Sequence, residues 1–224
     1  MTALIGFALG FIGIHLLVSG TPLRARLVAA LGLRGYLGLF SLASAVTLGG
    51  LIVSYLSLRE PQASALWPMR HAAVALMWPA LWLILAGVMS RGPTSAGGER
   101  ALADGVEAHG VHRITRHPFL WGMSLWAGVH AVWNPQAESL WFFGSFLVVS
   151  LAGTRLIDAK RRAGDPAGWA AYAAQTSNLP FAAIVSGRNR LSLREIGWLT
   201  PLAATGLWLL LASQHGRLFD LPVI

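Results

Sequence analysis

Residues 35–58 of the chain read GYLGLFSLASAVTLGGLIVSYLSL, and they contain no Asp, Glu, Lys or Arg. A helix rises about 1.5 Å per residue and the hydrocarbon core of a bilayer is about 30 Å thick, so about 20 mostly apolar residues cross it. Inside lipid, backbone polar groups find partners only within the helix itself. This run therefore predicts a transmembrane helix.

Five further runs without acidic or basic residues lie on either side of it. They cover residues 1–23, 71–90, 117–137, 139–154 and 196–216. Only the run 139–154 is short for a span, so it crosses the bilayer either with little tilt and extended by Leu156 and Ile157, or where the bilayer thins locally. We therefore expect an all-α, polytopic membrane bundle of about six transmembrane helices, forming one domain over residues 1–224. The predicted helices are 4–20, 36–57, 71–90, 118–134, 138–157 and 196–214.

The composition favours the membrane over nucleic acid as a partner. The chain is 55% hydrophobic and 12% charged, whereas a soluble domain carries about 25% charged residues. The net charge of +8 is concentrated in connecting loops, as the positive-inside rule produces, and not spread over a soluble face. The absence of cysteine excludes disulfides and thiolate metal sites.

The basic residues also predict an orientation. Fourteen of the 17 Lys and Arg residues fall in the first, third and fifth predicted loops, which should therefore be cytoplasmic, with both termini outside a bacterial inner membrane. The larger cytoplasmic segments are 91–117 and 158–195. Within the second, residues 166–187 mix polar and apolar types, and we expect an interfacial or re-entrant piece with Trp169 and Tyr172 at headgroup depth.

Two histidines lie inside predicted spans, His15 in the first helix and His130 in the fourth. Ionisable groups are costly in hydrocarbon, so a functional role facing the bundle interior competes with a neutral histidine bonded to a neighbouring helix. Each lies about twelve residues, or ~18 Å, from opposite faces of the bilayer. The two imidazoles should therefore lie within about one helical turn in depth, where they can ligate one metal centre.

Haem iron suits this pair because it needs only axial ligands from the protein. Around His130, the positions −7, −4, +3 and +4 share its helical face. The residues at these positions, which we predict to contact the cofactor, are Met123, Trp126, Trp133 and Asn134. Ordinary packing of an aromatic stripe remains the alternative.

A second constellation, Arg116-His117-Pro118, stands at the cytoplasmic start of the fourth helix. Proline fits the first turn of a helix, and the basic pair is placed to meet an anion or a headgroup phosphate. A simple interface anchor explains it equally well. Farther along, Arg155 and Asp158 have the spacing of an i, i+3 ion pair.

Three stretches resemble the NnrU family of bacterial membrane proteins, in order and over nearly the whole chain. They are HLLVSGTPLR at 15–24, RITRHPFLWG at 113–122, and GWAAY at 168–172 followed by TSNLPF at 176–181. The resemblance implies an association with nitric oxide and nitrite respiration, that is, with denitrification.

NnrU proteins are in turn similar to the plant and cyanobacterial zeta-carotene isomerase, a membrane haem b protein with histidine axial ligands. That likeness implies haem b as cofactor and His15 and His130 as its ligands, with a redox, sensing or isomerase-like role. The cysteine that precedes the second ligand in the isomerase is Ala127 here. A ligand exchange that depends on a thiol is therefore impossible.

A more distant likeness to isoprenylcysteine and phospholipid methyltransferases rests on residues 116–122. It implies S-adenosylmethionine binding near Arg116, His117 and Asp158, although Asp158 alone represents the acidic pair of those enzymes. Three functions therefore stand open: a haem b protein, a membrane methyltransferase, and a non-catalytic assembly factor for a respiratory complex. The expected partners are the lipid bilayer and either an apolar small molecule or that complex.

Overall fold

All regular structure in the computed structural model is helical over the residues that it describes, 1–60, 66–95, 97–220 and 223. The all-α prediction is therefore confirmed. Short helical turns lie at Ile14–Val18 (π) and at Trp67–Met69 and Gly110–Arg113 (3₁₀). The α-helices of these residues are α1 Thr2–Gly13, α2 Leu23–Leu58, α3 Arg70–Met89, α4 Glu99–Ala103, α5 Pro118–Trp133, α6 Ala137–Gly164, α7 Pro166–Gln175, α8 Ala182–Val185, α9 Leu193–Ile196 and α10 Leu199–Phe219.

Within the described part of the chain, three helices are long and apolar enough to cross a membrane, namely α2, α3 and α6. On α2, large apolar side chains point away from the protein, with Leu42 61% and Val53 67% exposed. A soluble protein rarely exposes so large an apolar surface, whereas lipid solvates it. The chain is therefore a membrane protein. The stretch Thr2–Val18 is apolar but shorter, and six spans with both termini outside remain predictions.

Close contacts fix how the long helices run. Gly87 of α3 lies against Phe119, and Gly122 of α5 lies against Ala80, so α3 and α5 are antiparallel and nearly touch. α10 is antiparallel to α3 as well, because Trp78 donates to Thr205 at 2.9 Å and Trp208 donates to the Val74 carbonyl at 2.7 Å. α3 therefore separates α5 from α10, which run in the same direction.

The first helix runs parallel to α6. The rings of Phe11 and Phe146 are 5.2 Å apart, and Gly20 lies against Leu156. α5 and α6 are antiparallel neighbours. We call the two ends of the bundle the Asn134 end, where α5 finishes, and the Asp158 end, where α5 begins.

Among the predicted helix boundaries, the start of the second helix and the end of the fifth differ most from the structure. Residues 23–31, which we expected in a loop, are helical, because Leu, Ala and Arg favour helix and the chain breaks only at Gly32, whose φ is 71°. α6 continues beyond its apolar run to Gly164, well past the predicted end at 157. The basic residues of its last turns do not interrupt the helix: Lys160 and Arg162 are exposed, and Arg161 is buried with its guanidinium hydrogen-bonded to carbonyl groups.

The two predicted cytoplasmic segments pack together as a cap on the Asp158 end. From α6, Arg161 donates to the carbonyls of Pro93 at 2.6 Å and Ser95 at 2.9 Å. Trp169 and Tyr172 of α7 are each 2% exposed and pack with Leu102. Their side chains therefore lie in the core of the cap. The predicted position at headgroup depth is wrong.

Candidate functional site

A cavity of about 440 Å³ lies at the Asn134 end, enclosed by α2, α3, α5, α6 and α10. Most of its wall is apolar and aromatic, with a few polar groups, as is usual for small-molecule sites. The basic side chains in the wall are Arg59, Arg70, His130 and His215. From α5, the predicted residues Trp126, His130, Trp133 and Asn134 line it together.

His130 has one ring nitrogen fixed by the backbone. Its Nδ1 lies 2.8 Å from the Trp126 carbonyl, which can only accept, so Nδ1 carries the proton. The ring stacks on Phe143 with centroids 4.8 Å apart. Nε2 is therefore the nitrogen that can bind a ligand, in an imidazole whose orientation is already set.

His15 has the same local arrangement in a different place. Its Nδ1 donates to the Phe11 carbonyl at 2.8 Å, from the π-helical turn Ile14–Val18, a type of turn found frequently at functional sites. The ring lies 4.4 Å from Phe11 and 5.5 Å from Phe40, centroid to centroid. His15 does not belong to the lining of the cavity.

The structure does not bring His15 and His130 to opposite sides of one cavity. A continuous series of ring contacts, through Phe11, Phe146 and Trp126, connects the two imidazoles. Because Phe11 lies level with Phe146, His15 lies level with about residue 150, whereas His130 stacks on Phe143. The difference is about 10 Å along the bundle at ~1.5 Å per residue, roughly two turns against the single turn expected.

Of the other residues predicted to contact the cofactor, some line the cavity and others do not. Met123, one turn further into the bundle than Trp126, lies outside the cavity lining. Arg116 and His117 are at the opposite end of α5, about 20 Å away along the helix. The predicted cofactor contacts of α5 that line the cavity are therefore those on its last two turns.

Arg116 and His117 converge on Asp158 at the Asp158 end. The carboxylate accepts from Arg116 Nε at 2.9 Å, from His117 Nε2 at 2.7 Å and from Asn178 Nδ2 at 3.2 Å. The expected pair between Arg155 and Asp158 is replaced by these contacts, because partners from other elements surround the carboxylate more completely than a neighbour on its own helix can.

The cluster is closed and shielded from water. The His117 side chain is 1% exposed, and burial holds the pKa of its imidazole below the ordinary value even though the hydrogen bond to Asp158 opposes this. The Arg116 guanidinium lies 5.1 Å from the centre of the Trp169 ring. Both basic groups thus join the cap to the bundle through Asp158.

A family model described as NnrU protein matches residues 3–223. The chain belongs to the NnrU family. No curated protein and no solved structure matches it. The family prediction from the three sequence stretches is thus confirmed, and the likeness to zeta-carotene isomerase stays a prediction.

In this NnrU protein, Ala127, which stands where the isomerase has a cysteine, is a packing residue. Ala127 is fully buried in a core cluster with Leu4 and Phe143. Its small side chain allows α5 to approach its neighbours closely, and it offers no atom for ligation.

A second ion pair in the cap, which sequence reasoning missed, gives this NnrU protein a testable pH dependence. Arg113 donates to both oxygens of Glu195, at 2.7 and 2.9 Å, and Gly110 N–H donates to Oε2 at 2.9 Å. The hydrogen bond from Arg113 lowers the pKa of Glu195 from 4.5 to about 2. The stabilisation is therefore complete above pH 4.5 and is lost as the pH falls towards 2.

We expect Glu195→Gln to flatten the stability profile of the detergent-purified protein over that acidic range. The measurement is the thermal midpoint between pH 2 and 7, compared with the wild type. Asp104→Asn, on the exposed part of the same cap, is the matched control and should leave the profile unchanged. Equal profiles for wild type and Glu195→Gln would contradict the assignment.

Proposed function

We propose that this NnrU protein binds haem b in the cavity at the Asn134 end, with His130 as an axial ligand. The observation that carries the proposal is the state of the His130 ring. Its Nδ1–H is held by the Trp126 carbonyl, and the ring stands in the wall of the cavity. An iron ligand needs such a neutral imidazole with Nε2 free to coordinate.

The other residues that line the cavity can contact the macrocycle and the propionates of haem. Aromatic side chains such as Trp126, Trp133 and Phe143 offer flat apolar surface to a macrocycle. Arg59 belongs to the same wall, where it donates to the Phe219 carbonyl at 3.0 Å and lies 3.5 Å from Asp220. A guanidinium has five N–H donors, so this pairing leaves donors for a carboxylate such as a haem propionate. The buried indole N–H of Trp133 has no hydrogen-bond partner among the described residues, which leaves one donor for a ligand.

Bound haem supplies one-electron chemistry or binding of a small gas. The protein's part is to fix the orientation of His130 and to exclude water with aromatic walls. Together with the family association with nitric oxide and nitrite respiration, this favours a redox or sensing role in the bacterial cytoplasmic membrane, with the Asp158 end inside.

The absorption spectrum of protein purified in mild detergent from haem-replete cells tests this proposal. We expect a Soret band in the wild type and loss of most of it in His130→Ala, with haem content measured as the pyridine haemochrome. His109→Ala is the control, since its side chain is 72% exposed on the cap, and it should keep full haem content. A colourless wild type, or a His130→Ala protein with unchanged haem content, would overturn the proposal.

A further inference from the structure

We infer that His215, and not His15, is the second histidine of the haem cavity and supplies the ligand on the other axis of the iron. The inference rests on the proposed haem function. Both His130 and His215 line the one cavity, from α5 and α10 respectively.

The stripe that carries His215 faces the cavity along about three turns of α10. Its members are at −7, −4, −3, 0 and +4 relative to the histidine, which is one helical face. They are Trp208, Leu211, Ala212, His215 and Phe219, and every one of them lines the cavity. The predicted helix ended at residue 214, whereas α10 continues to Phe219, so His215 is held on a helix and not in a terminal loop.

Packing on α3 fixes α10 relative to α5. The indole of Trp208 donates to the Val74 carbonyl at 2.7 Å, and both residues also border the cavity. Since α3 contacts α5 through Gly87 and Gly122 on another side, it acts as a common wall that keeps α5 and α10 apart. The space left between them is the cavity, and an imidazole enters it from each helix.

His15 lacks this access. Its ring is packed against Phe11 and Phe40, and the path from it to His130 is occupied by aromatic side chains. His15 and His130, the two histidines at similar predicted depth, are thus separated by packed rings, whereas His130 and His215 line the same cavity.

The spin state of the ferric protein distinguishes the two pairs. Bis-histidine iron is low-spin, so we expect low-spin electron paramagnetic resonance and absorption spectra for the wild type and for His15→Ala. His215→Ala should become high-spin, should bind added azide, and should return to low-spin when imidazole is added. His215→Gln, which keeps size and polarity, should behave in the same way and guards against a variant that fails to fold.

Three results would overturn the inference: a high-spin wild type, a low-spin His215→Ala, or a change to high-spin in His15→Ala. Each of these is observed on protein that contains haem. They are therefore distinct from failure of the proposed function itself, which would appear as a wild type without a Soret band.

Discussion

Replacing Asp158 with asparagine is expected to lower the free energy of unfolding by about 3 to 5 kcal/mol, the usual cost of removing one partner of a buried ion pair. The carboxylate accepts hydrogen bonds from Arg116, His117 and Asn178. In Asp158→Asn, the Arg116 charge stays inside the cap with no counter-ion, and one of the amide's two polar atoms can no longer accept. Reversible unfolding in mixed detergent micelles, followed by tryptophan fluorescence, measures the loss.

The matched control for this change is Asp104→Asn. Asp104 is exposed in the same cap, and a surface substitution of this kind is expected to change stability by no more than about 0.5 kcal/mol. Because the cluster joins the start of α5 to the end of α6 and to residue 178, Asp158→Asn should also speed proteolysis within the cap. Equal stabilities for the two variants would show that the cluster contributes little.

The sequence predicts helices best where charged residues and proline bound an apolar run. α3 and α5 begin and end within one residue of the predicted 71–90 and 118–134, because Arg70 and Arg91 bound the first run and Pro118 starts the second. α6 is longer than predicted, since charge ends the membrane-spanning part of a helix without ending the helix.

The candidate site was predictable only along single helices. The spacing of 3.6 residues per turn correctly groups Trp126, Trp133 and Asn134 with His130. Helical spacing does not reveal where along that face a cavity ends. Met123 shares the face but lies outside the cavity. The partners of Asp158 were equally hidden, because they come from segments distant in sequence and local spacing favoured Arg155.

The hydrogen bonds that orient His15 and His130 are formed within their own helical segments. Each Nδ1 donates to the carbonyl four residues earlier, Phe11 for His15 and Trp126 for His130. In both cases the acceptor lies one turn earlier on the same helix, so it does not depend on the packing of other elements. What remains beyond the sequence is which Nε2 meets an open cavity, since that depends on how five helices pack.

The contact between α3 and α5 is the other feature on which the cavity depends, and Gly122→Ala tests it. A Cβ at residue 122 would lie 2.7 Å from both the Ala80 carbonyl oxygen and the Ile84 backbone nitrogen. These are backbone atoms of α3 and cannot rotate away as a side chain can. We therefore expect the helices to separate, with a loss of about 1 to 3 kcal/mol in the free energy of unfolding, as is usual for overpacking.

Gly128, also on α5, is a glycine at which an added Cβ would cause no clash. A Cβ at Gly128 would meet no atom within 4 Å, and alanine is favoured over glycine in a helix interior by up to about 1 kcal/mol. Gly128→Ala should therefore be as stable as the wild type or more stable, so the two substitutions should differ in sign in the same unfolding assay. If Gly122→Ala matched Gly128→Ala, α3 and α5 would not be in backbone contact. The position of α3 as the common wall between α5, which carries His130, and α10 would then be wrong.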